Sequence, residues 1–193
     1  GVIELGSWKL TLPLGQAKKP TEIKQPALAS FEMSPYFHVD PSSKAVVFRA
    51  PAGGVTTSGS RYPRCELREM ASDGFAKAAW STMSGRHSMT IRQAITHLPT
   101  VKPHLVAGQI HDDKSDVVVI RLEGEHLFVK AGADNVGDLS SNYRLGTAFT
   151  VRITASAGVI QVFYDDLERP KVELQSDASG CYFKAGAYTQ SNT

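Results

Sequence analysis

Three short segments carry the residue types that acid–base and anion chemistry needs. The first is Arg64-Cys65-Glu66-Leu67-Arg68-Glu69. As a strand it turns Arg64, Glu66 and Arg68 to one face and Cys65 and Leu67 to the other. Two guanidiniums with a carboxylate between them, above an apolar underside, make a rigid cationic site, and the planar fork of arginine grips a carboxylate in two bonds. The same pattern also fits a surface ladder of ion pairs, which adds little stability. The second segment is Gly108-Gln109-Ile110-His111, where a strand places Gln109 and His111 on one face and Ile110 toward the core. A histidine is the side chain best suited to move a proton near neutral pH, although a lone one is more often structural or merely exposed. The third runs from Tyr182 to Gln190 and puts Tyr182, Lys184, Gly186, Tyr188 and Gln190 on one face, with Phe183, Ala185 and Ala187 on the other.

Each segment alone is ambiguous, but all three set polar, charged or proton-transferring groups opposite an apolar face. One sheet carrying them presents a groove of Arg, Gln, His, Lys and Tyr. Its natural ligand is a chain of carboxylates and hydroxyls, an acidic polysaccharide. Other chemistries have no foothold. HExxH, a phosphate-binding glycine loop and a GxSxG elbow are all absent, and Asp112-Asp113 after His111 matches no metal-ligand spacing. No metal or other cofactor is expected.

The surrounding chain is 193 residues long, which suggests a single domain, residues 1–193. Lysine and arginine total 21 against 19 acidic residues, a net charge of +2. That is too balanced for a general nucleic-acid binder, but it permits a local basic groove. The longest apolar runs, such as Val117 to Ile120, fall far short of the ~18 residues of a membrane span. The chain opens Gly-Val-Ile-Glu-Leu, with no initiator Met and no signal peptide, and reads as a processed or recloned mature form. Cys65 and Cys181 match neither a zinc site nor a redox pair. A disulfide between them is the favoured reading and a vote for a secreted or periplasmic protein; two buried free thiols are the other.

Period-two alternation predicts the elements that position these residues. Met89, Ile91 and Ile95 alternate with Ser88, Thr90, Arg92 and Thr96. Phe149, Val151 and Ile153 alternate with Thr150, Arg152 and Thr154, and the run resumes at Val159 to Tyr164 after Ala157-Gly158, a hairpin pattern. Val117 to Leu122 reads as a strand buried on both faces, with Leu127-Phe128-Val129 as its neighbour across a turn near Gly124. No window of helical length keeps an apolar stripe through its Gly and Pro residues; Phe75 to Met83 comes nearest. Many short strands between turn signals predict an all-β fold, a sandwich or jelly roll of antiparallel sheets.

The three segments resemble the signature of polysaccharide lyase family 7, the alginate lyases, which reads RxELR, QIH or QVH, and YFKAGxYxQ. Here they stand as RCELR at Arg64–Arg68, QIH at Gln109–His111 and YFKAGAYTQ at Tyr182–Gln190. Trp8-Lys9-Leu10-Thr11-Leu12-Pro13 is similar to the family's first strand. Cys65 departs from the small polar residue often found there, and the chain ends three residues after the third motif, where family members usually continue into a last strand. The resemblance implies a β-jelly roll of two antiparallel sheets, the concave one forming the substrate groove.

The implied reaction is β-elimination at the 1,4 bond of a uronate chain, leaving a 4,5-unsaturated sugar. The carboxylate beside C5 must have its charge offset while a base takes the C5 proton and an acid protonates the leaving O4. By resemblance, Arg64, with Arg68 in support, and Gln109 neutralise the carboxylate, and His111 and Tyr188 handle the protons. Glu66, Lys184, Tyr182 and Gln190 complete the substrate-binding set. Tyrosine, near ~10 when unperturbed, donates to O4, and histidine, near ~6.5, is a neutral base at pH 7–8. In the family, Ile at the centre of the second motif goes with guluronate-containing substrate, and Ile110 leans that way. Endolytic cleavage by a monomer is the default expectation. The rivals are a lyase for another polyuronate such as glucuronan, a non-catalytic jelly roll that binds acidic polysaccharide, and a glycoside hydrolase. The last would use Glu66 and Glu69 or the Asp112/Asp113 pair as its carboxylates, and Glu66 and Glu69 have opposite strand parity and cannot flank one bond in the usual way.

Overall fold

A computed structural model describes residues 3–193. Among them are fourteen strands: β1 (Trp8–Gln16), β2 (Lys19–Ile23), β3 (Phe37–Val39), β4 (Val46–Phe48), β5 (Arg64–Glu69), β6 (Arg86–Ala94), β7 (His104–His111), β8 (Asp116–Glu123), β9 (His126–Ala131), β10 (Asp134–Ser140), β11 (Ala148–Ser156), β12 (Val159–Tyr164), β13 (Val172–Gln175) and β14 (Tyr182–Thr189). A single 3-10 turn at Ala27–Ser30 is the helical element among these residues, and no helix is long and apolar enough to cross a membrane. Phe75 to Met83 forms turns and bridges rather than a helix.

The chain packs as two compact units. One holds the described chain up to Ala78, with Pro99–Leu105 and Lys184–Thr193; the other holds Ala79–Leu98 and Val106–Phe183. In the first unit, β14, β5, β1 and β2 lie side by side in that order, all antiparallel, and β3 and β4 form a separate hairpin. Alternation along β5 buries Cys65 and Leu67 with Leu10, Leu12, Leu28 and Phe37. Phe48 closes this cluster edge-on to Phe37 at 5.2 Å between ring centroids.

The second unit is a two-sheet sandwich. One sheet runs β10-β9-β8-β7 and the other β13-β12-β11-β6. Phe149, Val151 and Ile153 of β11 and Ile160 and Val162 of β12 have no exposed surface, as their shared parity predicts. The two strands meet in register from Val151–Tyr164 to Ser156–Val159, and the turn residues Ala157 and Gly158 both take positive φ, 51° and 75°. This is the two-residue geometry whose twist matches the flanking strands. The facing sheet supplies β8, in which Val118, Ile120 and Leu122 are fully buried and Val119 nearly so, the two-sided burial that its apolar run implies. The sheets touch where Gly108 of β7 leaves room for Ile91 and Met89 of β6. The fold is thus the all-β, antiparallel, jelly-roll class that the sequence predicts.

The favoured disulfide is not formed. Cys65 and Cys181 are both free and buried. The Cys65 thiol points into the first unit's core and donates to the Tyr36 carbonyl at 3.3 Å. Cys181 lies in a backbone bridge with Trp80, each N–H donating to the other's carbonyl, at 2.7 and 2.9 Å. Burial pushes the thiols up, to about 12 for Cys65 and about 11 for Cys181. Their environments are those of small core residues, not of a reactive pair.

Candidate active site

In the first unit the polar face of β5 is completed by its neighbours. Register sets Tyr188 opposite Arg64, Gly186 opposite Glu66 and Lys184 opposite Arg68 on one side. On the other, Thr11 stands opposite Glu66 and Lys9 opposite Arg68. Gly186 has φ 137°, and a Cβ there would come within 2.6 Å of the Cys65 carbonyl and 2.9 Å of the Phe48 ring. Only glycine lets β14 lie this close to β5.

Glu66 is the hub of this face. Its carboxylate accepts from Arg64 Nη1 at 3.0 Å and pairs with Lys184 Nζ at 3.0 Å, and its side chain has no exposed surface. This is a buried cluster of two cations and one anion, not a solvated ladder. Burial lowers Lys184 from the usual lysine range, with Arg64 and Arg68 acting in the same direction and Glu66 opposing them. The Arg64 guanidinium sits 3.9 Å from the Tyr188 ring centroid, and its Nε is buried without a hydrogen-bond partner. Arg68 Nη1 donates to the carbonyls of Glu69 and Ala78 at 2.6 and 3.1 Å. Gln190, just beyond β14, is buried, with its amide donating to the Thr189 carbonyl at 3.1 Å.

The Tyr188 hydroxyl lies 2.5 Å from Ser60 Oγ. Nothing in the sequence marks Ser60, which stands in a loop between Gly59 and Arg61 with no periodic pattern. Tyr62 and Lys102 were equally silent: Lys102 Nζ donates to the Tyr62 hydroxyl at 2.9 Å and lies over its ring.

In the second unit β7 ends on His111. Its Nδ1 lies 2.6 Å from the Asp112 carbonyl and 3.0 Å from the Tyr182 hydroxyl, and the two rings stack at 5.3 Å. A carbonyl only accepts, so Nδ1 carries the hydrogen and Nε2 holds the lone pair of the neutral ring. Asp112 owes its place to the turn into β8. Its carboxylate accepts the backbone N–H groups of Lys114 and Ser115 at 2.8 and 2.7 Å. Burial raises this carboxyl, but those two donors together with the charges of His111 and Lys114 outweigh it and hold it below the usual range. The acidic pair after His111 is therefore partly turn chemistry. Gln109 is almost wholly buried, as is Ile110 on the opposite face of the strand. Among the described residues no three His, Cys, Asp or Glu side chains are grouped so as to hold a metal ion.

The structure thus brings Arg64, Glu66, Lys184 and Tyr188 together in one unit, and His111 and Tyr182 together in the other. The first group can hold and neutralise an anion beside a phenol; the second offers an imidazole with a fixed tautomer.

Comparison with known proteins gives a consistent result. The family model described as alginate lyase matches residues 3–193. Among solved structures, alginate lyase AlgAT5 from polysaccharide lyase family 7 is 57% identical, with a TM-score of 0.92 over 97% of this chain and 85% of that one. The alginate lyase from Corynebacterium sp. is 50% identical, with a TM-score of 0.93 over 97% and 84% of the two chains. Alginate lyase A1-II′, a member of polysaccharide lyase family 7, is more distant at 29% identity and a TM-score of 0.80, over 98% and 88%. No curated protein matches the chain.

Proposed function

Because the chain belongs to polysaccharide lyase family 7, the alginate lyases, we propose that it cleaves alginate within the chain, preferring guluronate-containing stretches, with Arg64, Gln109, His111 and Tyr188 as its catalytic residues. Arg64 and Gln109 offset the uronate's carboxylate charge as it grows on loss of the C5 proton. His111 takes that proton through Nε2, the atom its hydrogen bond to Asp112 leaves basic. Tyr188 protonates O4 as the C4–O4 bond breaks and the C4–C5 double bond forms. In guluronate H5 and O4 lie on opposite faces of the ring, which suits a separate base and acid. Arg68, Lys184, Tyr182 and Gln190 contact the substrate, and Glu66 acts through the two cations it holds. Residues 1–193 work as one catalytic domain of a secreted or periplasmic monomer.

The observation that carries this reading is the Arg64 guanidinium 3.9 Å from the Tyr188 ring centroid. A cation so placed faces the negative charge that develops as the phenol passes its proton to O4. The test is a comparison of polyguluronate, polymannuronate and glucuronan as substrates under one set of conditions. The expected result is fastest formation of unsaturated uronate from polyguluronate, with oligosaccharides of several lengths appearing early. Faster action on glucuronan, or release of a single small product from the start, contradicts the substrate or the endolytic assignment respectively.

A further inference from the structure

We infer that Ser60 is the positioning residue for the Tyr188 hydroxyl, holding the phenol's hydrogen at rest and the phenolate's charge after transfer; this rests on the reading of Tyr188 as proton donor. Ser60 Oγ lies 2.5 Å from Tyr188 Oη, a direct hydrogen bond in which either oxygen can donate. Its own position is fixed from behind. The Tyr62 N–H donates to Ser60 Oγ at 3.0 Å, and Ser60 Oγ in turn donates to the Tyr62 carbonyl at 3.1 Å. Lys102 anchors Tyr62 through the hydroxyl and the ring face. The Pro63 carbonyl accepts the Thr189 N–H at 3.2 Å, tying this loop to the end of β14.

The serine hydroxyl has one hydrogen and two acceptors within reach, the Tyr62 carbonyl and Tyr188 Oη. With the hydrogen on the Tyr62 side, Ser60 Oγ accepts the phenol's O–H. When substrate is bound, the phenol's hydrogen turns to O4 and the serine's turns to Tyr188 Oη. Tyr188 then gives its proton to O4, and the phenolate is held by the Ser60 O–H on one side and the Arg64 guanidinium over its ring. Ser60 keeps its hydrogen throughout; before the next cycle His111 gives the C5 proton it took to water and Tyr188 regains one from water, so the enzyme's protons balance. The Tyr188 ring is already placed by the β5–β14 register and by Arg64. Ser60 therefore acts on the hydroxyl rather than on the ring.

The experiment measures kcat, KM on polyguluronate and Tm for Ser60→Ala, Ser60→Thr, Tyr188→Phe and the double variant Ser60→Ala/Tyr188→Phe. Ser60→Ala is expected to lower kcat at least ~10-fold, since a donor to developing negative charge is worth ~10²–10³ in turnover. KM and Tm should stay near wild type, Ser60→Thr should recover most of the loss, and Ser60→Ala should cost nothing further once Tyr188 is Phe. Wild-type kcat in Ser60→Ala, beside a collapse in Tyr188→Phe, overturns the role of Ser60 and leaves that of Tyr188 standing. A fall in Tm with no recovery by threonine likewise overturns it in favour of a packing role. Wild-type turnover in Tyr188→Phe overturns the reading of Tyr188 itself.

Discussion

Glu66 is a carboxylate with no exposed side-chain surface, flanked by two cations at 3.0 Å each. Removing such groups from water costs several kcal/mol per ion unless each finds its partner. Two cations share one carboxylate here, so the cluster carries surplus positive charge, and the lowering of Lys184 by burial reflects how poorly solvated that surplus is. A uronate's carboxylate is the complementary charge. His111→Ala and Tyr188→Phe should each lower turnover on polyguluronate by at least ~100-fold, the lower end for general acid–base groups, measured as the initial rate of unsaturated product. Near-normal turnover in either variant removes that residue from the mechanism. Strand parity makes Arg64 with Glu66, and Lys184 with Tyr188, legible as same-face pairs on their own strands; the β5–β14 register is what joins the two pairs. Ser60 was not, because its role comes from contacts across 128 residues of sequence. The cysteine pairing was misread because a count of two thiols carries no information on where each one points; each points into its own packed surroundings.

At the scale of elements, the legible strands are those with strong alternation or long apolar runs, β5, β6, β8, β9, β11, β12 and β14, together with part of β7 at Gly108–His111 and, by resemblance, the start of β1 at Trp8–Pro13. The strands β2, β3, β4, β10 and β13 went unseen for a physical reason. β10 reads Asp-Asn-Val-Gly-Asp-Leu-Ser, mostly residues that disfavour strands, and its extended shape comes from pairing with β9 through two irregular steps. Such a strand is imposed by its neighbour rather than by its own sequence. β14 is the opposite case, in which one residue sets how two strands meet. Gly186→Ala places a methyl against the Cys65 carbonyl and the Phe48 ring on a backbone of φ 137°. It should cost at least ~1–3 kcal/mol of stability, the usual scale of a strained backbone, and displace Tyr188 and Lys184 on the same strand. Thermal unfolding together with kcat checks this: Tm and kcat should fall together, and an unchanged Tm would show that the close approach is dispensable.

For the whole molecule, the near-neutral charge of +2 hides a local concentration of cations at Arg64, Lys184 and Arg68, as a balanced total permits. The fold class was legible from turn spacing and alternation, and the family from three motifs in order. How the chain divides into two compact units was not, since compactness depends on contacts between distant segments. The chemistry that these elements serve differs from hydrolysis in one countable way, because elimination turns every broken glycosidic bond into a new double bond. The decisive measurement is the ratio of unsaturated uronate ends, read by absorbance, to new reducing ends during digestion of polyguluronate by the native chain. A ratio of about one throughout early digestion is expected for β-elimination. Reducing ends that accumulate without absorbance, as two carboxylates activating water would produce, contradict it.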